Sequence, residues 1–326
     1  MTASVQIFAG REDSTTESSL AGRETGRLAR RERRWGFAFV TPWMIGLTLF
    51  FALPIIASLV MSFTNYELVD QDNVPTKFVG LTNWRRLFSD PEVRTGVWVT
   101  FRFAVVFVPL VLAAPLGLAY LLSLKSLRLR GFFRAMFYLP TMVPFIATVI
   151  VWRFYLNGKS GWFSKIFSTV GITTPDFIND KKYVVAALWM IALWGIGNAM
   201  IINIAALQGV PKDLYEAATL EGAGRWRLFR DVTIPMISPI LFYNLVLTLV
   251  GLGQYFVIPF ALSEGTGDPE DANKFYTLYF YRQTFTFFQA GYGSALAWMM
   301  FIVIFALTGL LFWSAKFWVH YEFEQR

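Results

Sequence analysis

Side chains that make and break bonds are scarce in this chain, whereas side chains that bind polar groups recur at helical spacing. There is no cysteine, and His320 is the one histidine; this removes thiolate nucleophiles, Cys-ligated zinc and Fe–S clusters and leaves no histidine pair for a metal. No GxxxxGK[ST] loop occurs, and Gly251-Leu252-Gly253 lacks the third glycine and the preceding strand of a dinucleotide fold, so nothing cradles a nucleotide phosphate. Almost all acidic residues fall in hydrophilic segments, with no paired-carboxylate or Ser/His/Asp arrangement among them. Two apolar stretches do carry polar groups. Thr248, Gly251, Leu252 and Tyr255 recur at i, i+3, i+4 and i+7, and Trp194, Gly195 and Asn198 form a similar set. Faces of this kind either hold a polar solute in an otherwise dry cavity or pack helices through small residues with the polar groups bonded between them. Gln254 and Asn244 are second candidates of the same type. The chemistry expected is recognition, without a cofactor.

The elements that must position these residues are membrane helices. The 326-residue chain is 55% hydrophobic, 18% aromatic and only 16% charged, with a mean hydropathy of +0.47, outside the range of a soluble domain. Six stretches, near 37–63, 97–124, 132–156, 184–207, 234–262 and 294–319, are long enough to cross about 30 Å of hydrocarbon as helices, which satisfy their own backbone there. Pro42, Pro54, Pro109, Pro115, Pro140 and Pro144 lie within or at the ends of the first three, so kinks are expected where each removes a donor. Arg102 and Arg153 read as interfacial residues whose head groups reach for water. The apolar run after Arg34 is too long for the core of a signal peptide and reads as a span.

Charge then orients the spans. Arg23, Arg27, Arg30, Arg31, Arg33 and Arg34 precede the first; Lys125, Arg128, Arg130 and Arg134 sit in the second connection; Lys212, Arg225, Arg227 and Arg230 sit in the fourth. These are alternate connections, so both termini and the fourth connection are expected in the cytoplasm. The net charge of +7 is thereby explained by orientation in a bilayer rather than by nucleic acid. Residues 1–36, rich in Ser, Thr, Gly and Arg, read as a disordered basic tail.

The fourth connection has its own pattern. Val210-Pro211-Lys212-Asp213-Leu214-Tyr215 leads into Glu216-Ala217-Ala218-Thr219-Leu220-Glu221-Gly222-Ala223, followed by Phe229, Val232, Ile234-Pro235 and Pro239. The spacing predicts a short surface helix with Asp213 as N-cap, with Leu214, Ala217, Ala218 and Glu221 on one face and Gly222 as the left-handed residue that ends it. This run resembles the "EAA" loop of bacterial ABC importer permeases, with Glu221 in place of the usual Asp and Ile234 in place of the usual Leu. Phe78-Val79-Gly80-Leu81-Thr82-Asn83-Trp84 and Leu87-Phe88-Ser89-Asp90-Pro91 resemble a segment of the first external loop of carbohydrate permeases. Gly131-Phe132-Phe133-Arg134, Leu139-Pro140 and Val143-Pro144 resemble the entry to their third helix. Together the matches cover about residues 37–319 and are similar to the first permease of a sugar-importer pair, the class of the maltose large permease and glycerol-phosphate permease A.

The resemblance implies an all-α polytopic membrane protein of the type I ABC importer permease fold, with a six-helix domain at 37–319 and a short cytoplasmic tail at 320–326. Its coupling loop, about 210–235, would meet an ATPase through Asp213, Glu216, Ala217, Ala218, Glu221 and Gly222. Trp194, Gly195, Asn198, Thr248, Gly251, Leu252 and Tyr255 stand where a maltose-type permease lines its sugar site, which implies a carbohydrate or related solute as substrate. Implied partners are a second homologous permease, two ATP-binding subunits, an extracytoplasmic solute-binding protein docking near 64–96 and 263–293, and the lipid bilayer of a bacterial or archaeal cytoplasmic membrane. Two rivals fit less well. An ion-coupled secondary sugar carrier would show an intramembrane carboxylate or an inverted repeat, and a membrane-embedded glycan or lipid enzyme would need a carboxylate or histidine cluster at one interface; neither is seen in the sequence.

Overall fold

The computed structural model describes residues 32–69, 75–124 and 126–320. Most of the expected N-terminal tail, with Arg23, Arg27, Arg30 and Arg31, lies outside the described residues, as do Lys125 and the C-terminal tail beyond His320. Among the described residues, 32–60 belong to one compact unit and those from Met61 onward to a second.

The first unit is represented by α1, Glu32–Met61, apolar on all sides, as a helix bathed in hydrocarbon is. Its ladder slips to i→i−5 over Thr48–Ala52, with Leu53 N–H bonding the Thr48 carbonyl, just before Pro54 removes a donor.

The second unit contains α2 (Thr82–Ser89), α3 (Pro91–Ser123), α4 (Arg130–Met142), α5 (Phe145–Leu156), α6 (Trp162–Ser168), α7 (Val184–Trp194), α8 (Gly197–Gly209), α9 (Lys212–Leu220), α10 (Arg225–Gly253), α11 (Val257–Ser263), α12 (Tyr276–Tyr281) and α13 (Ala290–Trp318). Among the described residues the β pairing is one isolated antiparallel bridge, Thr64 to Phe78. Among the described residues four helices, α1, α3, α10 and α13, are individually long and apolar enough to cross a membrane, and the count becomes six when α4 with α5 and α7 with α8 are each taken as one bent span.

Breaks fall only partly where proline predicts them. Pro109 and Pro115 sit inside a continuous α3, whereas α4 and α5 meet at 101° across Val143-Pro144, after a 3₁₀ turn at Leu139–Met142. The expected single spans at 184–207 and 234–262 are each interrupted, the first without any proline and the second just before Pro259, whose ring excludes a helical bond to the Tyr255 carbonyl. α7 and α8 meet at 51° across Gly195-Ile196, and α10 stops at Gly253, with Gln254, Tyr255 and Phe256 separating it from α11. α10 also starts nine residues earlier than the expected span, so the segment after Gly222 is already the foot of this helix.

Packing in the second unit is tight at three levels. Phe103 of α3 is fully buried, stacking on Phe107 at 4.7 Å and on Tyr255 at 4.8 Å, among Val149, Val184, Leu188, Ile191 and Leu252. Met200 and Ile204 of α8 pack on Ala119 and Leu122 of α3. Gly197 lets α8 touch α4: a Cβ there would lie 2.6 Å from the Phe137 carbonyl and 2.9 Å from Tyr138 Cα. In lipid such contacts act through dispersion and fit, since there is no water to exclude.

The third level lies at the start of α3, where two of the sequence patterns acquire a physical reason. Asp90 caps α3 by accepting from Glu92 N–H at 3.0 Å, and Pro91 occupies the first turn, where a missing donor costs nothing. Asn83 donates to the carbonyls of Ser62 at 3.0 Å and Thr64 at 2.8 Å, tying α2 to the preceding loop. Leu87 and Val93 then pack with Tyr276, Tyr279, Tyr292 and Leu296.

Candidate functional site

α9 is exposed along most of its length. The sequence expected Asp213 as its N-cap; instead Pro211 holds that position without a side-chain hydrogen bond, and Asp213 sits in the first turn, where its charge still complements the helix dipole. Its other end matches the expectation. Gly222 is left-handed at φ +82°, its N–H bonds the Thr219 carbonyl and Ala223 N–H bonds the Ala218 carbonyl, each at 3.0 Å, the paired bonds of a Schellman ending.

The inward face of α9 is carried by Tyr215 and Ala218, while Leu214, Ala217 and Glu221 of the set expected on one face are exposed. Tyr215 OH lies 2.9 Å from Thr233 Oγ1, which itself donates to the Leu228 carbonyl at 3.2 Å. The contact closes one side of a cleft of about 270 Å³ that also touches Tyr120, Leu207 and Phe229. Sequence reasoning missed Tyr215; its one signal was an aromatic hydroxyl in an otherwise small-residue helix. Glu216, Ala217 and Glu221 face outward beside Leu214, with Leu220 at 90% and Trp226 at 73% exposure. Apolar side chains this exposed on a short helix need a covering surface.

The two polar sets divide by burial. Gly195, Asn198 and Gly251 are exposed, and Trp194 is half-buried with its ring edge on Trp152 at 6.0 Å. Thr248 is half-buried and donates to the Asn244 carbonyl at 2.7 Å. Leu252 is in the core, and Tyr255 stacks among Phe103, Phe107 and Phe275, with its hydroxyl buried and unpartnered. Tyr255 also lies beyond the end of α10, so the i+7 member of the expected stripe is not on that helix. The exposed stripe of α10 is Tyr243, Leu247 and Gly251, continuing to Gln254, which moves Gln254 from second choice to the open face. Beside it a mostly apolar groove of about 670 Å³ runs along Gly253 and Gln254, walled by Phe256, Phe280, Met300 and Phe305, with Gln254, Thr277, Tyr281 and Thr308 as its polar side chains.

Asn244 has turned away from that face. Its Nδ2 donates to Asn203 Oδ1 at 3.1 Å, joining α10 to α8, and both side chains are buried. Arg153, read from sequence as an interfacial residue, pairs with Glu264 at 2.7 Å. Among the described residues no group of His, Cys, Asp and Glu could hold a metal ion.

Residues 110–319 match the family model described as "Binding-protein-dependent transport system inner membrane component". The chain is similar to the probable ABC transporter permease protein YesP of Bacillus subtilis, 33% identical with 92% of this chain and 96% of the relative covered. It is similar also to the lactose transport system permease protein LacF of Rhizobium radiobacter, at 31% identity over 86% and 94%. The trehalose/maltose transport system permease protein MalF of Thermococcus litoralis is 29% identical over 87% and 94%. In fold the chain is similar to one from a bacterial alginate ABC transporter crystallised with an alginate pentasaccharide-bound periplasmic protein, with a TM-score of 0.76, 18% identity and 89% and 97% of the two chains covered.

Proposed function

The chain belongs to the family of binding-protein-dependent transport system inner membrane components, and on that premise we propose that it carries a carbohydrate or closely related solute through a path it shares with a second, homologous permease. It is a multi-pass importer permease subunit, and ATP is hydrolysed on a separate subunit. The carbohydrate reading is supported by relatives that transport lactose and trehalose or maltose, and by the exposed amides of Asn198 and Gln254 beside Gly195 and Gly251. Trp194 and Thr248 flank that face, while Leu252 and Tyr255 form the wall behind it. The solute arrives from an extracytoplasmic binding protein docked near 64–96 and 263–293. Two ATP-binding subunits lie on the cytoplasmic side of a bacterial or archaeal cytoplasmic membrane, with both termini of this chain.

The observation that carries the coupling role is α9 itself: a short exposed helix, stopped by Gly222, with Glu216, Leu220 and the following Glu221 outward, while Tyr215 fastens it to the foot of α10, where Trp226 is also exposed. Asp213, Ala217 and Ala218 complete the contact; the alanines keep the helix thin enough for a partner groove. Closure of the ATPase pair on ATP displaces α9, and α8 and α10 carry the displacement to Asn198 and Gly251, turning the path from inward- to outward-open. Glu216→Ala and Gly222→Asp test this in the reconstituted complex. Both are expected to leave the chain in the membrane while binding-protein-stimulated ATP hydrolysis and uptake fall together about tenfold or more, a coupling loss in the usual range. Unchanged stimulation and uptake in both variants would exclude the coupling role.

A further inference from the structure

Asn203 and Asn244 are amides deep in apolar helices, 1% and 9% exposed, joined at 3.1 Å. Two leucines would fill such a position without polar atoms to satisfy. A buried amide pair adds direction: it fixes depth and register between two helices in a way that greasy contacts do not. Its location gives this consequence. α8 precedes α9 and α10 follows it, so the three helices form a chain of links. α8 joins α9 through Val210 and Pro211, Val210 buried and Pro211 of fixed φ. α9 joins α10 through Tyr215 OH and Thr233 Oγ1 at 2.9 Å. Asn203 and Asn244 supply the third side, about 16 Å along α10 from Thr233 at 1.5 Å per residue. A helix pair held at one level can pivot; held at two, it cannot.

We propose that the Asn203–Asn244 pair is a positioning device that locks α8, α9 and α10 into one moving body, so that a displacement of α9 arrives undiminished at the face bearing Asn198 and Gly251. This rests on the reading of α9 as the coupling helix. The absence of native cysteine permits a direct test: Asn203→Cys/Asn244→Cys, oxidised in the assembled, reconstituted importer. The oxidised complex is expected to keep uptake and binding-protein-stimulated ATP hydrolysis within about twofold of the reduced one, since the disulfide replaces a contact that persists through the cycle. Loss of uptake on oxidation with recovery on reduction means that the helices must part, and overturns the proposal; so does failure of the pair to cross-link. A second variant, Asn203→Leu/Asn244→Leu, separates positioning from packing. ATP hydrolysed per solute imported is expected to rise about fivefold or more at unchanged complex assembly, and a ratio within about twofold of the parent would reduce the pair to packing. If this variant does not assemble, the cross-link decides alone. Failure of the coupling-helix reading is seen separately, in Glu216→Ala and Gly222→Asp.

Discussion

Asp90 accepts from Tyr279 OH at 2.6 Å, from Tyr292 OH at 2.7 Å and from Glu92 N–H at 3.0 Å. Burial pushes its carboxyl upward, but these bonds, with Arg86 nearby, outweigh burial and hold it below the usual carboxylate value. Arg86 lies 4.0 Å over the Tyr292 ring and donates to Gln289 at 2.9 Å, so the node joins α2, α3, α12 and α13. A carboxyl with a lowered value stabilises the fold at every pH above its ordinary value and loses that contribution as pH falls through the lowered one. Asp90→Asn should therefore weaken the fold at neutral pH by about 1.5–3 kcal/mol, as for a bond to a charged group, and flatten the acid limb of thermal unfolding in detergent as pH falls through and below the ordinary carboxylate value. An acid limb as steep as the parent's would show that the charge is not what Tyr279 and Tyr292 hold. A residue in the solute path shows itself differently. Asn198→Ala should lower apparent affinity in uptake roughly ten- to a hundredfold, as one lost bond to a buried polar ligand does, with stimulated ATP hydrolysis preserved. Uptake within twofold of the parent at limiting solute would place the site elsewhere.

Among the elements, Gly197 sets the close approach of α8 to α4. Gly197→Ala should force α8 off α4 and cost about 1–3 kcal/mol of stability, the usual penalty of overpacking. Gly209→Ala, at the other end of the same helix with open space around it, should cost nothing measurable. Equal effects in thermal unfolding of the two variants would remove the close approach as the reason for glycine at 197. The contrast shows what the sequence made legible. Six apolar stretches and the glycine stop of α9 were readable, because length and positive φ are local properties, whereas Asp90-Pro91 was seen only as part of a family pattern and not as the start of α3. The break at Gly195-Ile196 was not readable, since no proline marks it, and the one at Gln254, Tyr255 and Phe256 was passed over despite Pro259, because a continuous apolar run reads as one span. With the second break went the register of the candidate face, so Tyr255 fell into the core and Gln254 onto the open side. Asn203 escaped notice because a lone amide in an apolar run reveals its partner only when two helices are set side by side.

For the whole molecule, the charge pattern predicts orientation and the fold predicts which loops share a side. The end of α3 meets the foot of α10 through Tyr120 and Phe229 at 5.2 Å, next to the arginine-rich starts of α4 and α10, so these ends and α9 should share the cytoplasmic side. A cysteine at Ser89 should react with an impermeant thiol reagent applied to intact cells, and one at Thr219 only after the membrane is opened. Labelling of Thr219→Cys from outside would invert the arrangement and remove the ATPase contact with it.

Leu220 and Trp226 also bear on the life of the chain before it has partners. Leu220 projects from α9 and Trp226 from the foot of α10, and no described residue covers them, so on the coupling role proposed for α9 a newly made copy is adhesive until a partner covers it. Such a surface meets chaperones, proteases or another orphan first. The number of importers in a cell would then follow the scarcest subunit, with surplus copies of this one cleared and synthesis left free to run ahead of need.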